Sequence, residues 1–215
     1  MVNIMSTLLE KLDLPNDLKN LSHNDLLKLS QEIRIKLIEI GDKCGGHLAS
    51  NLGVVELTIV LHTLLESPKD KIIWDTSHQT YVHKMLTGRL NKMHTIRQDN
   101  GLSGFAKITE SPHDIFGAGH ASTALSAALG IAEGRNINKD DYSVVAIIGD
   151  SSLSGGMSYE AINNIASLNT NFICILNDND MSISNAVGNM AKYITQIRTS
   201  TPYAKAKEKF ERIIK

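Results

Sequence analysis

The chain has 215 residues, of which 42% are hydrophobic and 21% charged, and a formal net charge of −1. That is enough chain for one sizeable core, and the balance of charge excludes the global basic field used to bind nucleic acid or an anionic membrane surface. The two cysteines, Cys44 and Cys174, exclude a disulfide framework and suit a reducing compartment, cytoplasmic or a plastid-type organelle interior.

At the N-terminus, Met1 to Ser6 lacks the basic region and long apolar core of a secretory signal. The acids Glu10 and Asp13 precede the first arginine, Arg34, unlike a transit peptide. Ser22 followed by Asp25 marks a helix start, with an acid where a capping box carries Glu or Gln. Leu26, Leu29, Ile33, Leu37 and Ile40 then recur at three- and four-residue spacing, predicting an amphipathic helix whose stripe packs into a core. Gly41 is expected to end it. After a Gly45-Gly46-His47 loop, Val54 to Leu65 reads as a more buried helix. It is broken by Glu56 and His62, so no membrane span is expected there.

Pro68 separates that helix from a short strand, Lys71 to Asp75. A helix from about Gln79 to Leu86 follows, and Gly88 to Ile115 reads as loop-rich surface. Gly117-Ala118-Gly119-His120 opens a small-residue helix, Ala121 to Glu133. An apolar strand at Val144 to Ile148, a helix over Met157 to Ser167 and a strand at Phe172 to Leu176 complete the pattern, with Cys174 expected in the core. Strands alternating with helices predict an α/β fold, a three-layer parallel sheet flanked by helices with right-handed crossovers. The tail, Ala204 to Lys215, is charged and helix-prone and carries no turn that finishes a domain. The chain is therefore expected to stop partway through a longer protein.

The chemistry concentrates at predicted strand ends. Gly149-Asp150-Ser151 follows the strand at Val144, and Asn179 follows the strand at Phe172, 29 residues beyond Asp150. That is about one strand-helix-strand unit, so two oxygen ligands would stand at the carboxyl ends of neighbouring parallel strands, where open α/β sheets bind ligands. A small set of oxygen ligands suits Mg²⁺, which keeps positions for water and substrate phosphates. The main-chain carbonyl of Met181 is a third candidate ligand. Set against this is an ordinary strand-end turn with solvated polar residues, and the residues alone leave both readings open.

His47, His78 and His120 each lie in a loop just before a helix or after a strand, positions that collect at one rim of a parallel sheet. Imidazoles and helix N-termini both suit anionic oxygens, whereas a lone loop histidine more often caps or packs. No histidine pair has the short spacing of a zinc site. Gly117-x-Gly119-His120 and Ser154-Gly155-Gly156 either present backbone N–H groups to a phosphate or connect elements flexibly.

Together these segments resemble the 1-deoxy-D-xylulose-5-phosphate synthase family, thiamine-diphosphate enzymes of the transketolase superfamily. The resemblance runs through nearly the whole chain. It is carried by Gly45-Gly46-His47-Leu48, Leu52 to Thr58, Ile73-Trp74-Asp75 with His78-Gln79, and His83-Lys84 with Leu86 to Arg89. Gly101 to Phe105, Gly119-His120 and Leu176 to Ile183 complete the string. It implies a pyrophosphate-binding domain over residues 1–215, with the pyrimidine-binding and C-terminal domains absent. By it, Asp150, Asn179 and the Met181 carbonyl hold Mg²⁺. His78, Gly119, His120, Ala121, Ser151, Ser152 and Asn179 line thiamine diphosphate, and His47 and His78 are the catalytic candidates. The implied reaction condenses pyruvate, with loss of CO₂, and glyceraldehyde 3-phosphate, feeding isoprenoid, thiamine and pyridoxal-phosphate synthesis. A homodimer is implied, with the missing pyrimidine-binding domain supplied in cis or in trans; this chain alone is expected to turn over little or nothing.

Three positions depart from the family pattern. Ser77 precedes His78 where the family has Gly, Ala121 follows His120 where it has Ser, and Ser151 follows Asp150 where it has Gly. A side chain at 151 is expected to restrict the backbone where the diphosphate lies close. These departures keep two other readings open: a split transketolase-type subunit with different substrates, and a non-catalytic binding or assembly paralogue.

Overall fold

A computed structural model describes residues 6–177, 196 and 199–214. The chain opens with a one-turn helix α1 (Leu8–Lys11), capped by Thr7 and Glu10, and a 3₁₀ turn at Asn16–Asn20. Helix α2 (His23–Cys44) begins at Ser22, whose hydroxyl oxygen accepts the Asp25 N–H and whose O–H donates to the Asp25 carboxylate at 2.6 Å. The aspartate is too short to reach the cap's own N–H, so it holds the capping hydroxyl instead. Leu29, Ile33, Leu37 and Ile40 are buried on one face, as their spacing predicts.

α2 does not end at Gly41. It runs one further turn to Cys44, and Gly45 takes the left-handed exit with φ 66°. Gly41 lies inside the helix, and a Cβ there would only make ordinary van der Waals contact with Leu48, at 3.5 Å. Short helix α3 (Leu48–Leu52) and helix α4 (Val55–Leu64) follow, the latter much as its apolar run predicts.

Three parallel strands form one sheet in the order β1 (Lys71–Trp74), β2 (Val144–Gly149), β3 (Ile173–Asn177). The register sets Trp74 beside Ile147 and Gly149 beside Asn177. Alternation assigns the two faces. Ile73, Val144, Ala146 and Ile148 pack against helices α6 (Ala124–Asn138) and α7 (Gly156–Ile165). Ile72, Trp74, Val145 and Ile147 pack on the opposite face with Val54 and Leu61. The result is the three-layer α/β arrangement expected from the sequence. Because β2 is covered on both faces it reads as an unbroken apolar run. Among the described residues β3 is an edge strand, and Cys174 is exposed there rather than buried in a core. A helix α8 (Thr201–Ile214) follows. Among the described residues no helix is long and apolar enough to cross a membrane.

The helix expected from Gln79 is regular only over α5 (Tyr81–Lys84) and continues irregularly through Met85–Arg89, broken at Thr87 and at Gly88, φ 82°. Gln79 and Thr80 are spent in the preceding loop, where their side chains donate to the Asp75 and Ser77 carbonyls. Beyond a 3₁₀ turn at Leu90–Thr95 the chain is loop as expected to Ile115, and the loop runs on to Thr123, past the helix start expected at Ala121. An ion network ties that loop down. Asp114 accepts two bonds from the Arg89 guanidinium and one from the Lys107 N–H, and Glu110 accepts from Lys84, Arg89 and the Ser103 N–H. Lys84, Arg89 and Asp114 are all buried. The network presses Ser103 to Ala106 against the end of the sheet, beside the histidines.

Candidate functional site

The site is built on the carboxyl ends of β1 and β2. Asp75, the first residue past β1, is 1% exposed. Its two carboxylate oxygens accept the N–H groups of Ser122 and Ala124 at 2.9 and 3.0 Å. An ionised carboxylate at a helix N-terminus satisfies its orphan donors and meets the positive end of its dipole. This explains why α6 starts at Ala124 and not at Ala121. Ser122 adopts a left-handed conformation, φ 73°, that no helix accommodates, and Asp75 holds it there. The Gly119-His120-Ala121 segment is thereby fixed above the sheet, with His120 and Ala121 exposed.

After Asp75 the chain turns through two consecutive left-handed residues, Thr76 (φ 57°) and Ser77 (φ 67°), before His78. A residue other than Gly in that region costs roughly 1–2 kcal/mol. Ser77 offsets the cost, because its hydroxyl accepts the Ala106 N–H at 2.9 Å in a fully buried position. The departure from glycine at 77 is therefore built into the loop packing.

His47 stands at the start of α3, exposed, with its ring 5.0 Å from that of His78 in an edge-to-face arrangement and 6.1 Å from Phe105. The chain can pass so close only because residue 46 is Gly, at φ 118°: a Cβ there would collide with the Tyr81 hydroxyl. His78 is half-buried, and its Nδ1 is buried with no hydrogen-bond partner. Burial, and secondarily the His47 ring, hold its pKa below the ordinary histidine value, while Asp75 pulls the other way. The ring is thus neutral near pH 7, with one nitrogen free to accept a proton or hydrogen bond and the other to donate.

On β2, Gly149 ends the strand and Asp150 starts a 3₁₀ turn, Ser151–Ser154. Ser151 lies in that turn with negative φ, so the expected backbone restriction does not arise. Its side chain is exposed, whereas Ser152 is buried. The Asp150 carboxylate makes no hydrogen bond or ion pair among the described residues, and nothing lies within 4 Å of a Cβ placed on Gly149 or Gly119. The loop before α6 touches the loop after β2: a Cβ on Gly155 would run into Ser122, and the Ser158 hydroxyl lies 3.4 Å from the Ser122 carbonyl and 2.8 Å from the Ser152 carbonyl.

The structure therefore brings His47 together with His78, and the Ser122 loop together with Ser152 and Gly155. Asp75 and Gly149 end neighbouring strands. Asn179 and Met181 lie outside the described residues. Asn177, in register with Gly149, carries β3 to the same rim.

Four contributors escaped the sequence reading. Asn51 is fully buried and bonded to both histidine segments. Asp75 and Phe105 were visible only as pieces of longer strings. Arg97 is exposed, left-handed at φ 65°, and lies along Gly45 and Gly104 beside His47, its guanidinium free of any ion pair among the described residues. A polar residue immediately after an apolar strand is a signal that could have found Asp75.

Open glycine-lined space, neutral imidazole and a free carboxylate at the carboxyl ends of parallel strands define a ligand-binding α/β domain suited to an anionic ligand and a hard cation. Comparison with known proteins narrows the class. The family model described as 1-deoxy-D-xylulose-5-phosphate synthase matches residues 9–215. The 1-deoxy-D-xylulose-5-phosphate synthase of Thermomicrobium roseum is 53% identical over 208 residues, covering 96% of this chain and 33% of the relative. That of Caldanaerobacter subterraneus subsp. tengcongensis is 55% identical over 207 residues, with 96% and 33% covered. That of Dehalococcoides mccartyi is 54% identical over 210 residues, with 98% and 33% covered. The chain belongs to the 1-deoxy-D-xylulose-5-phosphate synthase family. It spans about a third of the length of the curated relatives it matches.

Proposed function

We propose that this chain supplies the thiamine-diphosphate- and Mg²⁺-binding part of a 1-deoxy-D-xylulose-5-phosphate synthase, which condenses pyruvate, with loss of CO₂, and glyceraldehyde 3-phosphate. The observation that carries this reading is the His47–His78 pair, with rings 5.0 Å apart, on the rim where Asp150 stands free. The residues fit the group. Gly119 and Gly149 leave room for a diphosphate, the orphaned His78 Nδ1 faces no protein partner, and Asp150 offers a charged oxygen to a hard cation.

Asp150, with Asn179 and the Met181 carbonyl, would hold Mg²⁺. His78, Gly119, His120, Ala121, Ser151, Ser152 and Asn179 would line the cofactor. Thiamine diphosphate supplies the electron sink when bound. The chain's own residues orient and protonate. His47, exposed at the mouth, is the group free to exchange protons with a substrate oxygen. His78, kept neutral by burial, donates or accepts a hydrogen bond without carrying charge into the site. Arg97 gives the mouth an unpaired cation for an anionic substrate group. The pyrimidine-binding and C-terminal domains would come from elsewhere in a longer protein, and a homodimer is the expected assembly.

The test is an assay of the full-length protein for CO₂ release from pyruvate and for deoxyxylulose phosphate when glyceraldehyde 3-phosphate is added, with thiamine diphosphate and Mg²⁺ present. Absence of pyruvate decarboxylation, or preference for a ketose phosphate donor, would count against the reading.

A further inference from the structure

His47 and His78 lie on different segments, and no hydrogen bond joins the two rings. Among the described residues the His47 side chain makes only ring contacts, with His78 and Phe105. The geometry of the pair must therefore come from the main chain beneath it. One side chain connects the two pieces of main chain. Asn51, within α3, is fully buried. Its Nδ2 donates to the His47 carbonyl at 2.8 Å and to the His78 carbonyl at 2.9 Å, and its Oδ1 accepts the Tyr81 N–H at 2.8 Å. Two carbonyls on one end and an N–H on the other fix which way the amide points. The three bonds close a bridge between the start of α3, the loop after β1 and the start of α5.

We propose that Asn51 is a positioning residue: its side-chain amide sets the separation and angle of the His47 and His78 imidazoles by clasping the main-chain carbonyls of both. This rests on the proposed reading of the two histidines as the proton-handling groups. Among the described residues no other side chain hydrogen-bonds to both carbonyls. Alanine keeps the Asn51 main-chain N–H on the His47 carbonyl but leaves the His78 carbonyl and the Tyr81 N–H without the amide that joins them to it. Aspartate keeps the size and the bond to Tyr81, but turns an oxygen toward two carbonyl oxygens. The loop it clasps has reason to move when released, since Thr76 and Ser77 both hold left-handed conformations.

The experiment uses the full-length protein with its histidines labelled at Cε1, and assigns His47 and His78 in NMR spectra by single substitution. Asn51→Ala is compared with Leu29→Ala, a cavity in the helical core away from the rings. The groups facing His78 are His47 and Asp75. With the clasp gone, the His78 titration should rise toward the ordinary histidine range as burial and the His47 contact both lessen. It should stay put in Leu29→Ala. In pyruvate turnover, kcat should fall tenfold or more in Asn51→Ala with KM changed less than threefold, since displacement of a reacting group by about 1 Å can cost around 10²-fold. Leu29→Ala should keep kcat within twofold. If Asn51→Ala does not fold, Asn51→Ser, which retains one hydroxyl donor, carries the same comparison.

An unmoved His78 titration overturns the proposal, as does an equal shift in Leu29→Ala, or unchanged kcat in an active wild type. A wild type with no turnover, but with His78 shifted in Asn51→Ala, overturns the functional reading and upholds the clasp.

Discussion

Asp114→Asn removes one charge from a buried cluster and changes almost nothing in shape. Asp114 is 2% exposed. Its Oδ2 accepts Arg89 Nη1 and the Lys107 N–H, both at 2.9 Å, and its Oδ1 accepts Arg89 Nη2 at 2.8 Å. His83 Nε2 lies 3.2 Å from Oδ1, and the Lys84 ammonium 3.8 Å from Oδ2. Bonds from His83 and Arg89 hold the carboxyl well below the usual carboxylate range against the opposing effect of burial. Lys84 and Arg89 balance Glu110 and Asp114, so the amide variant leaves one surplus positive charge out of water and turns an N–H₂ toward existing donors. Breaking a buried pair by removing one partner costs about 3–5 kcal/mol, a large share of the roughly 5–15 kcal/mol that stabilises a folded domain. In equilibrium urea unfolding the midpoint should drop by about 1.5–2.5 M, taking a slope of about 2 kcal/mol per M. Arg89→Met added to Asp114→Asn removes the surplus charge and should recover at least about 1 kcal/mol. Hydrogen exchange should also accelerate at Ser103 and Lys107, whose N–H groups donate to Glu110 and Asp114, and at Ala106 between them, whose N–H donates to Ser77. A single variant within about 1 kcal/mol of wild type, or a double variant no more stable than the single, would refute the charge argument.

Asp150→Ala should abolish Mg²⁺-dependent binding of thiamine diphosphate in calorimetric titration while leaving the fold intact, because its carboxylate supports no other bond among the described residues; unchanged binding would sink its assignment to the metal. Ser77→Ala should cost about 1–3 kcal/mol by stranding the Ala106 N–H. Ser77→Gly loses the same bond but regains roughly 1 kcal/mol from the relieved left-handed backbone, so in denaturant melts the glycine variant should be the more stable of the two. His62 and His83, both lowered chiefly by burial, are neutral in the native state. Below about pH 6.5 the unfolded chain binds protons that the native one does not, so stability is full above that pH and falls as pH drops, by up to about 1.4 kcal/mol per pH unit for each histidine. Unfolding free energies measured from pH 7 to 5 should show this slope, and His62→Gln with His83→Gln should reduce it, leaving the part due to His78 and His113, also lowered by burial.

The parts of the fold legible in the sequence were those in which one periodicity governs one environment. The α2 stripe, the apolar run of β2 and the alternation of strands with helices each follow from burial on a defined face. Gly41 looked like a helix stop, but it stays inside α2 and the positive-φ exit falls on Gly45. Where a helix start was misread, a partner distant in the chain had intervened. Ala121 looked like a helix start because Asp75, 46 residues earlier in the chain, was not known to grip Ser122.

The candidate site divides in the same way. His47, His78 and Asp150 stood out because strand ends collect chemistry. Asn51 did not, because an asparagine inside a short helix has no pattern of its own and gains its meaning only from the two carbonyls that converge on it. The two serines that replace family glycines show why residue identity alone does not decide such cases. Ser77 does occupy a left-handed position, and is retained by a bond to Ala106. Ser151 occupies a helical one, so no glycine is needed for backbone freedom there. If space for a ligand rather than backbone angle is what favours glycine at 151, Ser151→Gly should alter diphosphate affinity and leave stability to within the cost of one added glycine, about 1 kcal/mol.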